Sequence, residues 1–305
     1  MFYRNSSSPR LNFLFSSRIQ KNLLLFIILA SLLPVSSGLS LISPDITSKE
    51  IIARMHESAK NIRTLKFQMK KLERVDGRIL SGDQEVKFNR MPKKIYTFIH
   101  APRKGTEVLF IEGSNNNKAY VNPNGFPYFT LSLDPYSNAM RNNNHHTVHE
   151  VGFDYINSIV SYFSEKAGGD FEKIFIYKGD TVFNNRKCYK ILIDYFPFQY
   201  IKYTVKENEN LIDIAYRNFI SDYMILQLNP DIDDYYDVKA GQAITIPNGY
   251  ARKTLLFIDK ENYLPIVQIM FDEKGLYAKY EFHDLQYNPK ISEEEFTKDY
   301  EAYNF

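Results

Sequence analysis

Residues 203–247 read YTVKENENLIDIAYRNFISDYMILQLNPDIDDYYDVKAGQAITIP. Val205 lies in a first short strand, and Ile244 and Ile246 supply the apolar face of a closing one. Between them Leu211, Ile214 and Ala215 recur at helical spacing, as do Met224, Ile225 and Leu228. Two short helices therefore each offer one apolar stripe to a small sheet. Gly241 and Gln242 stand where a tight turn must precede the last strand, and Pro247 stops it. The order is strand, helix, helix, strand.

On both sides of this stretch the period is that of strands. Leu65, Phe67 and Met69 alternate with Lys66, Gln68 and Lys70, and Asp76-Gly77 turns the chain. Short strands are expected at 85–88, 95–99, 107–111 and 118–121, with Pro92 and Pro102 kept to turns because proline cannot donate to a ladder. More are expected at 171–177, 180–183 and 188–195, then a meander at 253–258, 264–271 and 276–282. Ile51, Ile52, Met55, Ala59 and Ile62 mark a helix behind a Thr47/Glu50 capping box. A second box, Thr147/Glu150, is expected to start a helix carrying Ile156, Ile159, Val160, Phe163 and Ala167, ended by Gly168-Gly169. Residues 131–140 read as a loop. Neither strand set alone makes a covered sheet, so the two share one, and the opening stretch is an insertion in a host domain. The expected divisions are an export signal at 1–38, the host at 45–200 and 249–305, and the insertion at 201–248.

Arg4, Arg10, Arg18 and Lys21 precede an apolar run at 23–33, and no acidic residue comes before Asp45. The run suits a signal-peptide core and falls short of the ~20 residues of a membrane span. Val35 and Ser37 then predict cleavage and a mature start near 38–40; an uncleaved anchor is the alternative. No cysteine follows the run, so a lipid-modified N-terminus is not expected. A net charge of +2 without a long basic run gives no reason to expect nucleic acid. The one cysteine, Cys188, allows no internal disulfide and reads as a small thiol packed on a strand.

The pieces Leu-x-x-Ile-Ala from Leu211, Leu-x-x-Asn-Pro ending at Pro230, and Gly-Gln-x-Ile-x-Ile-Pro ending at Pro247 together resemble the LysM domain. That resemblance implies binding of the N-acetylglucosamine backbone of peptidoglycan or chitin in a shallow groove between two loops. The matching positions are Asn208, Glu209, Asn210 and Leu211 on one wall and Pro230, Asp231 and Ile232 on the other. Where the family has Gly-Asp-Thr or Gly-Asp-Ser, this chain has Asn208-Glu209-Asn210. Asparagine tolerates positive φ and Asn210 can cap the helix, but a side chain now stands where glycine allows close approach. The host order of helix, strands, helix and strands resembles the LolA/LolB-like lipoprotein-carrier fold. The implied class is α+β, a curved antiparallel half barrel wrapped around helices with an apolar hollow. The run from Arg103 to Leu109, the Leu133-Asp134-Pro135 loop, Ile258-Asp259, Leu264-Pro265 and Glu281-Phe282 are similar to a bacterial secreted family of unknown function, some members of which carry a LysM insertion.

Outside that stretch the candidate chemistry is sparse. His145, His146 and His149 would share one face if a helix reached back over them, and three imidazoles can hold zinc with a fourth position open to water. No phosphate loop, nucleophile elbow or His-Glu-x-x-His pattern occurs. The acidic run Glu293, Glu294 and Glu295 reads as a solvated helix start. The expected function is an exported periplasmic or cell-envelope binding protein, not an enzyme and without a cofactor. Its expected partners are a peptidoglycan glycan strand and, in the hollow, a lipid, lipoprotein or other apolar ligand. One alternative is an interaction module whose LysM no longer binds glycan; another is a zinc hydrolase built on the three histidines.

Overall fold

The computed structural model describes residues 46–305, which form one unit; the segment read as an export signal lies outside the described residues. Among the described residues no helix is long and apolar enough to cross a membrane. Helix α1 (Ser48–Lys60) starts at Thr47, whose hydroxyl accepts from the Glu50 amide at 3.2 Å. The reciprocal half of the expected box is missing, because Glu50 turns to Arg54 at 2.6 Å.

β1 (Thr64–Val75) and β2 (Arg78–Asn89) form a hairpin whose turn residues, Asp76 and Gly77, have φ of 47° and 74°. Positive φ at both central positions matches the right-handed twist of the flanking strands. β3 (Lys94–Ala101), β4 (Thr106–Ile111), β5 (Ala119–Asn122) and β6 (Leu131–Leu133) extend the sheet on one side. On the other side come β13 (Gly275–Tyr287), β12 (Pro265–Asp272), β11 (Lys253–Asp259), β8 (Arg186–Asp194) and β7 (Phe175–Phe183). The eleven strands, in the order β6-β5-β4-β3-β2-β1-β13-β12-β11-β8-β7, are antiparallel and unclosed. This is the α+β half-barrel architecture expected of the carrier-like host.

Within it, β8 pairs directly with β11, Asp194 opposite Lys253 and Cys188 opposite Asp259. The chain thus leaves the large sheet after Asp194 and rejoins the adjacent strand at Lys253. Between these points β9 (Tyr200–Thr204) and β10 (Ala243–Pro247) make a separate two-stranded sheet. Helices α5 (Leu211–Asn218) and α6 (Asp222–Leu228) lie between those two strands in sequence. Leu211, Ile214, Ile225, Ile244 and Ile246 are buried, as their spacing predicts.

The connection from β6 departs from expectation. Residues 131–140 are not all loop, since they hold β6 and the start of α2 (Asn138–Arg141). The Thr147/Glu150 box forms, but on a single 3-10 turn at Val148–Glu150. The long helix, α3 (Asp154–Ala167), begins only after Gly152, and Ile156, Ile159, Val160 and Phe163 are its buried face. Phe171–Ile174 is a further helical turn, α4, where a strand start was expected.

Side chains of β3 and β4 alternate between two destinations. Thr97, Ile99 and Val108 face an interior hollow. Tyr96, Phe98, Leu109 and Ile111 face the other way, where Phe296, Tyr303 and Phe305 from the C-terminal segment pack on them. Tyr96 and Tyr303 stack at 3.7 Å between ring centroids. The acidic run is therefore not simply a solvated face: Glu295 is inserted between Lys66 and Lys87, at 3.0 and 2.8 Å.

Candidate functional site

Sheet and helix α3 do not close on each other. Between them lies a cavity of about 770 Å³, bounded by strands β1 to β6, β12 and β13, by α3 and by the 142–152 connection. Met69, Leu80, Ile99, Val108, Val121, Leu131, Ile156, Ile159, Met270 and Phe282 make most of its wall apolar. These positions are one side of the strand alternation and one stripe of the helix, so the same periodicity that builds the elements also builds the wall.

One end of the hollow is polar. Lys71 Nζ donates to Glu73 Oε2 and to Asn144 Oδ1, both at 2.6 Å. The Tyr280 hydroxyl donates to the other Glu73 oxygen at 2.6 Å. Burial works against ionising Glu73, but Lys71 and the nearby His145 and His146 outweigh it and hold the carboxyl down at about 2. His146 Nε2 lies 2.8 Å from the Tyr250 hydroxyl. Burial is also what lowers the His146 imidazole, to about 4, against the pull of Glu73. The Glu150 carboxylate takes bonds from the Thr147 amide and hydroxyl at 2.7 Å and from the Tyr216 hydroxyl, while burial raises its pKa. Chemically this is an apolar hollow with a hydrogen-bonding, internally neutralised end, suited to holding an amphiphile. Cys188 is fully buried, and burial pushes its thiol up to about 11, which leaves it inert.

The three histidines do not converge as a metal site. His145 is sandwiched between the rings of Tyr223 and Tyr277, at 4.6 and 4.4 Å, and its Nε2 is 3.0 Å from the Arg74 carbonyl. His146 turns to Tyr250, and His149 stacks on Tyr136 at 5.1 Å and meets Phe110 edge-on. The reason is the late start of α3: with no α-helix over 145–149, only a 3-10 turn from Val148, the steps of three and four no longer share a face. Among the described residues no group of three His, Cys, Asp or Glu side chains is placed to hold a metal.

The groove positions of the small βααβ unit divide between surface and interior. Asn208 is exposed at φ 59°, the left-handed conformation for which asparagine is tolerated. Asn210 caps α5 in a full capping box with Asp213. Glu209 was expected at the sugar-facing wall, but its carboxylate turns inward. It accepts from the Tyr203 hydroxyl at 2.9 Å and the Lys206 amide at 2.8 Å and pairs with Arg217. Leu211 and Ile232 are also buried, because their side chains fill the core beneath the loops, whereas Pro230 and Asp231 are exposed. Asn208, Pro230 and Asp231, with the half-buried Asn210, thus remain as side chains a glycan could meet.

Sequence reading missed how this unit is seated. Arg141 is clamped bidentately to Asp222, at 2.7 and 3.0 Å, and lies over the Tyr235 ring at 3.6 Å. Burial opposes the Arg141 charge, yet the Asp222 carboxylate outweighs it and raises the pKa. Ser221 and Tyr277 hydroxyls meet at 2.6 Å, and the Tyr155 hydroxyl donates to the Ile220 carbonyl at 3.2 Å. Capping spacing marked none of these, since each partner is far away in sequence.

Residues 62–221 match the family described as "Protein of unknown function (DUF1571)". The chain belongs to that family. Residues 203–247 match the LysM domain, so this family member carries a LysM unit between two neighbouring strands of its large sheet. No curated protein matches the chain. Among solved structures it is similar to the Mycobacterium tuberculosis lipoprotein LppX, at 11% identity and a TM-score of 0.38, covering 81% of this chain and 99% of that one. A LolA superfamily protein from Nitrosomonas europaea is similar at 10% identity and a TM-score of 0.32, covering 84% and 99%. LprF from Mycobacterium bovis gives 10% identity and a TM-score of 0.37, covering 80% and 94%.

Proposed function

We propose that this DUF1571 protein is an exported, envelope-associated binding protein rather than a catalyst. Its hollow takes up a lipid or other apolar ligand, and its LysM unit holds it to the N-acetylglucosamine strands of peptidoglycan. The observation that carries this reading is the cavity of about 770 Å³, within the range of small-molecule sites, with apolar walls and one polar end. Native mass spectrometry and solvent extraction of the purified protein test it. A co-purifying apolar molecule, displaced by Val108→Phe, is the expected result; protein that stays empty after incubation with acyl-chain ligands sinks the cavity half. Sedimentation with insoluble peptidoglycan tests the LysM half separately, and a protein left wholly in the supernatant sinks that one.

A second reading, that LysM and host act as one rigid interaction module, is favoured by a specific observation. The Arg141–Asp222 pair is almost dry, with side chains only 2% and 14% exposed. Arg141→Ala leaves a buried carboxylate unpaired, at a cost of about 3–5 kcal/mol. If the two parts are one body, the variant lowers a single cooperative unfolding transition. A separate early LysM transition, with the host unaffected, contradicts the rigid-body reading.

A further inference from the structure

Where the cavity meets solvent, one side of its rim is made by two loops, Pro102 and Arg103 between β3 and β4 and Phe126 and Pro127 between β5 and β6, while exposed Ile79 and Ser81 of β2 and Asn142 and Asn143 line it elsewhere. The second loop turns three large aromatic side chains outward. Phe126 is 86% exposed, Tyr128 83% and Phe129 61%. Scattered surface rings need no explanation, but three within four residues beside the opening of an apolar hollow form a patch. The patch is held in shape rather than left loose. Asn124 Nδ2 donates to the Lys104 carbonyl at 3.1 Å, and the Asn124 amide is capped by Asn122 Oδ1 at 3.0 Å. Gly105, at φ +84°, is the position that lets the loops meet: a Cβ there would stand 2.1 Å from Asn124 Nδ2. The rim segments 101–105 and 123–130 contain Arg103 and Lys104 and no acidic residue. Both cations are exposed, and neither has an ion-pair partner among the described residues.

From this juxtaposition we infer that the rim is a docking surface for an anionic phospholipid bilayer, with Phe126, Tyr128 and Phe129 entering the interface and Arg103 and Lys104 meeting the headgroups. Aromatic rings settle at the boundary between headgroups and acyl chains, and basic side chains beside them add attraction to anionic lipid. Placed there, the opening of the hollow faces the acyl layer, and an apolar ligand passes between them without crossing water. The inference extends the cavity reading but does not depend on it, because docking is measured at the rim and loading inside.

The chain has no tryptophan, so Tyr128→Trp installs a single reporter at the rim, independent of whatever the N-terminal segment does. With the full chain and vesicles of phosphatidylglycerol and phosphatidylethanolamine, its emission is expected to shift to the blue and to be quenched by brominated acyl chains. Vesicles of phosphatidylcholine alone should need at least tenfold more lipid for the same signal, and adding Arg103→Glu and Lys104→Glu should erase the difference. Emission unchanged by either vesicle overturns the proposal, as does equal response to both. Emission already shifted in buffer, and rising with protein concentration, assigns the rim to a second copy of the chain and also overturns it. Loss of the vesicle signal with ligand still recovered from the cavity removes the docking surface alone; a vesicle signal from a protein that never loads removes the cavity reading alone.

Discussion

The two faces of strands β3 and β4 use the same alternation to opposite ends. Outward, Tyr96, Phe98, Leu109 and Ile111 are sealed by the chain's own C-terminal segment, with Tyr303 stacked on Tyr96 and Glu295 seated between Lys66 and Lys87. Inward, Thr97, Ile99 and Val108 look into open space. An antiparallel sheet can leave one face to water, yet here the chain covers the outer face of β3 and β4 with itself and leaves part of the inner face unfilled. Void beside apolar side chains forfeits dispersion contacts, so an unfilled inner face is a standing cost unless something else occupies it. The difference teaches where to look for function: at the face whose covering is incomplete.

The comparison breaks most severely at its sealed side. Phe296→Ala removes the ring that anchors the C-terminal segment, and its 4% exposure places the loss at about 3–5 kcal/mol. Denaturant unfolding should show that drop with recovery of cavity ligand unchanged; a drop below about 1 kcal/mol would mean that the segment is a loose tail. Acid probes the inner face next. Lys71 and the neighbouring imidazoles hold the folded Glu73 carboxyl down at about 2, below its ordinary 4.5, so on lowering the pH the unfolded chain takes the proton first. The resulting stabilisation, on the order of 3 kcal/mol, is complete above the unfolded value and lost as pH falls through the folded one. His146, lowered from 6.5 to about 4, has the same sign: stability falls as pH drops across that interval. Glu73→Gln should flatten the lower step, and an unaltered acid limb would contradict the assignment.

Smaller changes in stability sharpen the contrast. Val108→Phe grows into the hollow instead of into packed core, so it should change stability by no more than about 1 kcal/mol where overpacking ordinarily costs 1–3. Ligand recovery should fall to background; a large destabilisation would show that the hollow is already full. Smallest of all, Asn208→Gly relieves a non-glycine residue at φ 59° and should alter stability by only a few tenths of a kcal/mol. Retention on peptidoglycan should rise, and Asn208→Trp should abolish it; indifference to both would leave the LysM unit without a glycan role at this loop.

What the sequence made legible follows the range of the interactions concerned. The βααβ order of residues 203–247, the β1–β2 turn and the burial of α3's stripe are local patterns, and period and turn chemistry reported them; the LysM reading came from the resemblance of three ordered sequence pieces. The shared sheet on either side of LysM was legible by exclusion, since neither strand set could cover itself. The start of α3 was misjudged because Thr147 and Glu150 make the same box on a 3-10 turn as on an α-helix. That one displacement also dissolved the apparent histidine cluster. Glu209 belongs to a surface loop, yet Tyr203, the Lys206 amide and Arg217 draw its carboxylate inward, and that spacing alone does not show. The Arg141–Asp222 clamp and the C-terminal cover join distant parts of the chain, and a hollow has no residue of its own to announce it.

The pairing of β8 with β11 has a kinetic consequence. These strands are neighbours in the ladder, yet the whole segment from Asp194 to Lys253 separates them. In a chain where that segment is unfolded, zipping the two strands means closing a loop of roughly 60 residues, at an entropic cost that grows with the logarithm of length. Once β9 and β10 have paired, Tyr200 opposite Pro247, the same closure spans only a few residues on each side. Within the LysM unit the two helices are local contacts, which form quickly, and its two strands then pair across them, Ala243 opposite Thr204. Folded first, it acts as a clip that brings the two ends of the interrupted sheet together before the sheet itself exists.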